Sequence, residues 1–180
     1  MATLLLQLEE LDDRSLVFLQ DLQSLRVEID GVERRLQRTV GRSHPLPALP
    51  GAERLTLEVG PSDQPRRFHL WRRRIGGPDD PGGSAAVEAA VQGMPNRWPE
   101  LREATIGIAT ASQSEPETGT LVIFLPTSIP TGGHALLNAP FYGGLNRQRV
   151  DLTAPLNLLL HRELRTLTLA AVDDLLAGPA

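Results

Sequence analysis

The chain has no cysteine and no lysine, although it runs to 180 residues and carries 18 basic side chains. Without cysteine there is no disulfide scaffold, no thiolate zinc site and no cysteine nucleophile, and the composition suits a reducing compartment. Without lysine there is no P-loop lysine, no Schiff base and no lysine general base. Every one of the 18 cations is therefore arginine, a bias for which a GC-rich genome, with its surplus of arginine codons, is the simplest cause. Aromatic residues make up only 4%, so the core has to rest on Leu, Val, Ile and Ala. No apolar run approaches the roughly 20 residues of a membrane span. The opening MATLLLQLEELDD has leucines with no basic lead and runs straight into acids, unlike a secretory signal. The expectation is a cytoplasmic protein with no membrane partner.

What is present reads as a globular domain. Apolar residues are 41% and charged residues 22%, ordinary values for a folded chain, and the length fits one domain over 1–180 with a substantial core. The net charge of −4 and a pI near 5.6 argue against broad electrostatic capture of nucleic acid.

Asp12 or Asp13 is placed to cap a short helix whose apolar face holds Leu16, Phe18, Leu19 and Leu22. LRVEIDGVERRLQRTV reads as two strands joined across Asp30-Gly31, a hairpin pair, and GRSHPLPALPG as a proline-rich surface loop. RLTLEV and RRFHLWRRRI read as two more strands. In the second, period-two alternation puts Phe68 and Leu70 on one face, His69 and Trp71 on the other. GGPDDPGGS reads as a loop leading into a short helix, SAAVEAAVQGM. The continuous apolar runs of EATIGIAT and GTLVIFLP predict central strands covered on at least one face. Thr153 is placed to cap a long final helix with Pro155 in its first turn. Leu159, Leu160, Leu164, Leu167 and Val172 should line its packed side. The sum is an α+β domain, a mostly antiparallel sheet with helices packed mainly on one face.

Signatures of catalysis are scarce. There is no Gly-x-Ser-x-Gly elbow, and the four histidines are scattered. His161 and Glu163 share a helix but sit two apart, so they point in different directions and make poor joint metal ligands. The pairs Asp12-Asp13, Asp79-Asp80 and Asp173-Asp174 read as solvated charges at helix ends or in loops. The Arg66–Arg74 strand, with five arginines around Phe68 and Trp71, has a sharper reading as a nucleic-acid-binding module, with guanidinium groups on phosphates and rings stacked on bases. Its plainer reading is a charged strand that deters edge pairing.

One stretch carries a family resemblance. FLPTSIPTGGHALLNAPFYGGLNRQRVDL resembles the segment following the ATP-binding lobe of sacsin-type proteins, relatives of the heat-shock chaperones in the GHKL ATPase superfamily. The matching positions are Phe124, Leu125 and Pro126, then Thr131 and Gly132, then Asn138 and Phe141, then Asn146 and Arg147. SLVFLQDLQSLRVEID also resembles the early helix and strand of those proteins, so the two matches span most of the chain. The nucleotide lobes of the superfamily carry a glutamate four residues before a metal-binding asparagine, and an Asp-x-Gly-x-Gly loop. Neither occurs here, and DPGGS from Asp80 ends in Ser84 where glycine belongs.

The resemblance thus implies a transducer- or middle-like domain with a ribosomal-protein-like α+β fold, cut from a longer ATPase or encoded apart from its partner. It implies no enzyme in this domain by itself and no cofactor bound by it alone. ATP and Mg are expected in an N-terminal ATP-binding lobe of the same or a partner chain, and a homodimer is admitted. Such domains lend a basic residue to the γ-phosphate. A positioned guanidinium stabilises the charge gathered there during hydrolysis, and supplying it from a second domain couples nucleotide state to domain arrangement. Arg147 is the first candidate for that catalytic role and Arg149 the second, with Asn146 orienting the loop toward the cofactor. The competing reading pairs both arginines with Asp151 or with acids of the final helix, worth about 0–1 kcal/mol per exposed pair. Gly132-Gly133 and Gly143-Gly144 are expected to serve turns needing positive φ, and Asn138 and Tyr142 to satisfy backbone groups.

Overall fold

The computed structural model describes residues 13–29, 31–112, 118–123, 125–143 and 150–178. The strands are β1 (Ser24–Ile29), β2 (Val32–Pro45), β3 (Ala52–Gly60), β4 (Arg66–Ile75), β5 (Ala104–Ala111), β6 (Thr120–Ile123), β7 (Leu125–Pro130) and β8 (Leu136–Asn138). The helices are α1 (Arg14–Val17), α2 (Pro81–Val91) and α3 (Pro155–Ala177), with a 3-10 turn at Trp98–Glu100. The eight strands form one sheet in the order β1-β2-β3-β4-β5-β8-β6-β7. Every neighbouring pair is antiparallel except β6 and β8. The fold class is the expected α+β.

Alternation along the strands splits the core into two layers. Trp71, Ile75, Ile106 and Ile108 face α2 and α3, meeting Val87, Leu160, Leu164 and Leu167. Leu55, Leu57, Phe68, Leu70 and Ala109 face the other way, under Leu16 and Val17 of α1. The two long helices thus share one face, and short α1 covers part of the other. A Cβ on Gly107 would lie 2.9 Å from the Phe18 ring, so glycine there lets the segment after α1 settle on β5. Gly31, at φ +79°, turns the β1–β2 hairpin, as the Asp30-Gly31 pair predicts; Asp30 and Asp12 lie outside the described residues.

Several expectations are corrected. The stretch from Gly41 to Pro45 is not loop: after a bulge between Val40 and Ser43, β2 stays paired with β3 through Pro45. Only then does the chain turn, and Leu46 and Leu49 are buried in the core. Proline closes this strand rather than interrupting it, because a terminal position needs no further N–H for the ladder. GTLVIFLP is not one strand, since Ile123 lies opposite Leu125 and the chain reverses between them. β7 is left as an edge, blunted by Pro126 and Pro130.

α2 begins at Pro81, taking in the glycines assigned to the loop, because the Asp80 carboxylate caps it by accepting from the Gly83 N–H at 3.1 Å. Asp13 sits at the start of α1 without a side-chain cap and pairs instead with Arg66 at 3.2 Å. On α3 the N-cap residue is Ala154, not Thr153. Val172 is 46% exposed and lies off the packed side.

Candidate functional site: a clamped loop base at the start of α3

β8 delivers the chain to Phe141, buried against α3, and then to Tyr142 and Gly143. Gly143 forms an isolated antiparallel bridge with Val150, so the two described residues that flank 144–149 lie side by side. Asn157 fixes that base from the first turn of α3. It is completely buried. Its Oδ1 accepts from the Tyr142 N–H at 2.8 Å, and its Nδ2 donates to the carbonyls of Tyr142 at 2.6 Å and Asp151 at 2.7 Å.

One side-chain amide thereby does for Tyr142 what a neighbouring strand would do, satisfying both backbone groups. Leaving the buried Asn157 amide unpaired would cost about 1–3 kcal/mol for each of its polar atoms, which holds the clamp closed. Asp151 tightens the return, accepting from the Thr153 hydroxyl at 2.7 Å and its N–H at 2.9 Å. The same bonds, the hydroxyl first, hold its carboxyl below the ordinary carboxylate value. The Tyr142 ring meets Trp98 edge-on, centroids 5.7 Å apart.

Asn146, Arg147 and Arg149 lie between Gly143 and Val150, outside the described residues, as do Gly144 and Phe124. The described base brings together what flanks them. Tyr142, expected to satisfy backbone groups, has both of its own satisfied by Asn157. Asn138 sits in β8, opposite Gly107 and Val122. Gly132 takes the positive φ expected of it, +80°, whereas Gly133, of which the same was expected, does not. Beside the base lies an apolar groove of about 760 Å³, lined by Phe141, Val150, Leu152 and Leu169 with His161 and Arg165.

The Arg66–Arg74 strand is β4, which lies inside the sheet between β3 and β5, so deterring edge pairing is not its role. Each of its five arginines has a carboxylate partner. Arg66 meets Asp13, Arg67 meets Glu58 at 2.9 Å, and Arg72 meets Glu53. Arg73 meets Asp80 at 3.0 Å and also Glu163, while Arg74 grips Glu103 with two nitrogens. Phe68 and Trp71 are 2% and 1% exposed, so neither ring offers a face for a base.

Asp79 and Asp173 are exposed as expected, but their neighbours are not simply solvated. Asp174 is no solvated charge: it accepts from Trp71 Nε1 at 2.8 Å and pairs with Arg54 at 3.1 Å. Asp80 both caps α2 and holds Arg73. His69 is pushed below its ordinary value by burial first, then by Arg54 and Arg67, and its Nδ1 is buried without a partner. Buried Arg38 likewise has Nε and Nη2 unpartnered. Burial and then Arg72 hold its pKa below the ordinary arginine value. Among the described residues no cluster of His, Asp and Glu could hold a metal ion, and no helix is long and apolar enough to cross a membrane.

Asn157 is the residue of this candidate site that sequence patterning misses. Its signal is a single amide within PLNLLL, between Leu156 and Leu159 on the packed side of a helix. No family model, curated protein or solved structure matches the chain.

Proposed function

We propose that the chain is a non-catalytic interaction domain that presents the 144–149 loop to a phosphate held by a neighbouring lobe. In its finer form it is the transducer-type domain of a sacsin- or chaperone-like GHKL ATPase. The phosphate is then the γ-phosphate of ATP, which travels with Mg in the adjoining ATP-binding lobe of a cytoplasmic protein. The observation that supports this reading is the clamp. Asn157, the Gly143–Val150 bridge and the Asp151–Thr153 bonds use a buried amide to fix the two points between which residues 144–149 run. Loops set on such rigid bases are the ones suited to present binding groups, and positioning of a guanidinium in advance is what charge stabilisation in phosphoryl transfer requires. The segment so held is the one carrying Asn146 and the two arginines.

The test measures ATP turnover of this protein together with its ATP-binding lobe, comparing Arg147→Ala and Arg149→Ala with the unaltered protein. A fall of roughly a hundredfold in one variant, with nucleotide affinity retained, is expected for a guanidinium that acts in the transition state. Unchanged turnover in both variants overturns the reading and leaves the loop as scaffolding.

A further inference from the structure

α3 is apolar on two sides. Its packed side carries Leu156, Leu160, Leu164 and Leu167, all buried. On the opposite side Leu158, Leu169, Val172 and Leu176 are 56%, 60%, 46% and 81% exposed. At 3.6 residues per turn these four fall on one line, with Leu158 and Leu176 about five turns apart. The stripe is also polarised. Arg162 and Arg165 lie toward its N-terminal end and Asp173 toward its C-terminal end. Arg162 reaches only its neighbour Glu163, while Arg165 and Asp173 have no ion-pair partner among the described residues. Large apolar side chains lined up in this way are atypical of a free surface and mark an interaction site.

We propose that this stripe pairs two copies of the chain, α3 antiparallel to α3, about a two-fold axis that crosses the stripe midway between Arg165 and Leu169. The charge order selects the occupant and its direction. In an isologous contact each end of the stripe meets the opposite end, so Leu158 meets the partner's Leu176. Arg165 lays its aliphatic stem on the partner's Leu169. His161 and Arg162 come to the partner's Asp173 and Val172. A parallel pair would instead stack arginine on arginine and aspartate on aspartate. The apolar groove adjoins the stripe at Leu169 and Arg165. Together with the exposed Leu152 it widens the contact beyond the helix line, toward the roughly 1,200–2,000 Å² that a stable interface buries.

The absence of cysteine makes the register directly testable in the full chain. Sedimentation should show a dimer for the unaltered protein, and a monomer with unchanged circular dichroism for Leu169→Glu combined with Leu176→Glu. Asp173→Arg should weaken the dimer by about tenfold or more, and adding Arg162→Asp should restore it, as expected of facing charges. Leu158→Cys combined with Leu176→Cys should cross-link under oxidation, whereas Leu158→Cys alone should not. A protein that stays monomeric up to about 100 μM overturns the proposal, since association is driven by concentration. So does a dimer that survives the double glutamate variant, or a charge swap that fails to restore it. Dimerisation only after removal of residues 1–12 overturns it too, assigning the stripe to the chain's own leucine-rich start.

Discussion

At the scale of single residues, burial and hydrogen bonding together set protonation. His69 lies on β4 with Nδ1 enclosed and unpartnered, near Arg54 and Arg67. Burial, then those two cations, lower its pKa from the ordinary 6.5, with Asp174 opposing weakly. The unfolded chain therefore binds a proton that the folded chain refuses. Stability is full above pH 6.5 and falls as the pH drops from there toward the folded pKa. Glu53 and Asp151 add their loss lower down. Burial works against ionised Glu53, yet hydrogen bonds from Ser43 and Arg72 outweigh it and hold it below its ordinary 4.5. Asp151 lies below 3.8 because of Thr153. Urea unfolding across pH should thus decline in two stages. His69→Gln should flatten the stage just below pH 6.5 and leave the one below about pH 4.5 in place, since only the first requires an imidazole. An unchanged upper stage would show that His69 does not titrate with folding.

At the scale of elements, α3 is held to the sheet by ion pairs as well as leucines. Asp174 ties Trp71 and Arg54 to its C-terminal half, and Glu163 ties Arg73 to its middle. Arg54 and Asp174 are 14% and 26% exposed, so removing the carboxylate leaves an indole N–H and a guanidinium largely out of water. Asp174→Ala should lower unfolding free energy by about 2–3 kcal/mol. Asp174→Asn, which keeps an acceptor for Trp71, should cost less, and denaturant midpoints at one protein concentration compare them.

The same anchors show what patterning could and could not reveal. The faces of RRFHLWRRRI and the packed leucines of α3 were readable because alternation and helical period are local properties. The extension of β2, the reversal at Ile123–Leu125 and the role of Asn157 were not. The first depends on pairing with β3 across a turn, the second on a reversal inside one apolar run, and the last on Tyr142, none of which shows in the period of a single segment. The site was readable only as a segment, 132–152, whose clamp sits outside it at Asn157.

At the scale of the whole molecule, 18 arginines and a net charge of −4 are reconciled by pairing. The densest cationic stretch, Arg66–Arg74, spends its charge on Asp13, Glu58, Glu53, Asp80, Glu163 and Glu103. A phosphate arriving there would have to displace a carboxylate already in contact, and would gain little by doing so. Counterion release, the term that dominates nucleic-acid affinity, needs guanidinium groups free to neutralise phosphates. A single-stranded oligonucleotide should therefore bind no more tightly than about 10⁻⁴ M at physiological salt, the weak end of non-specific binding. Its affinity should change little between roughly 50 and 200 mM salt. Arg67→Ala and Arg74→Ala, the two most exposed of the five, should leave that weak binding where it was. A steep salt slope that shrinks by about one unit with either substitution would mean that β4 does meet phosphate. The ion pairs across the sheet would then open on binding, and the strand, rather than the clamped loop, would be the surface that acts.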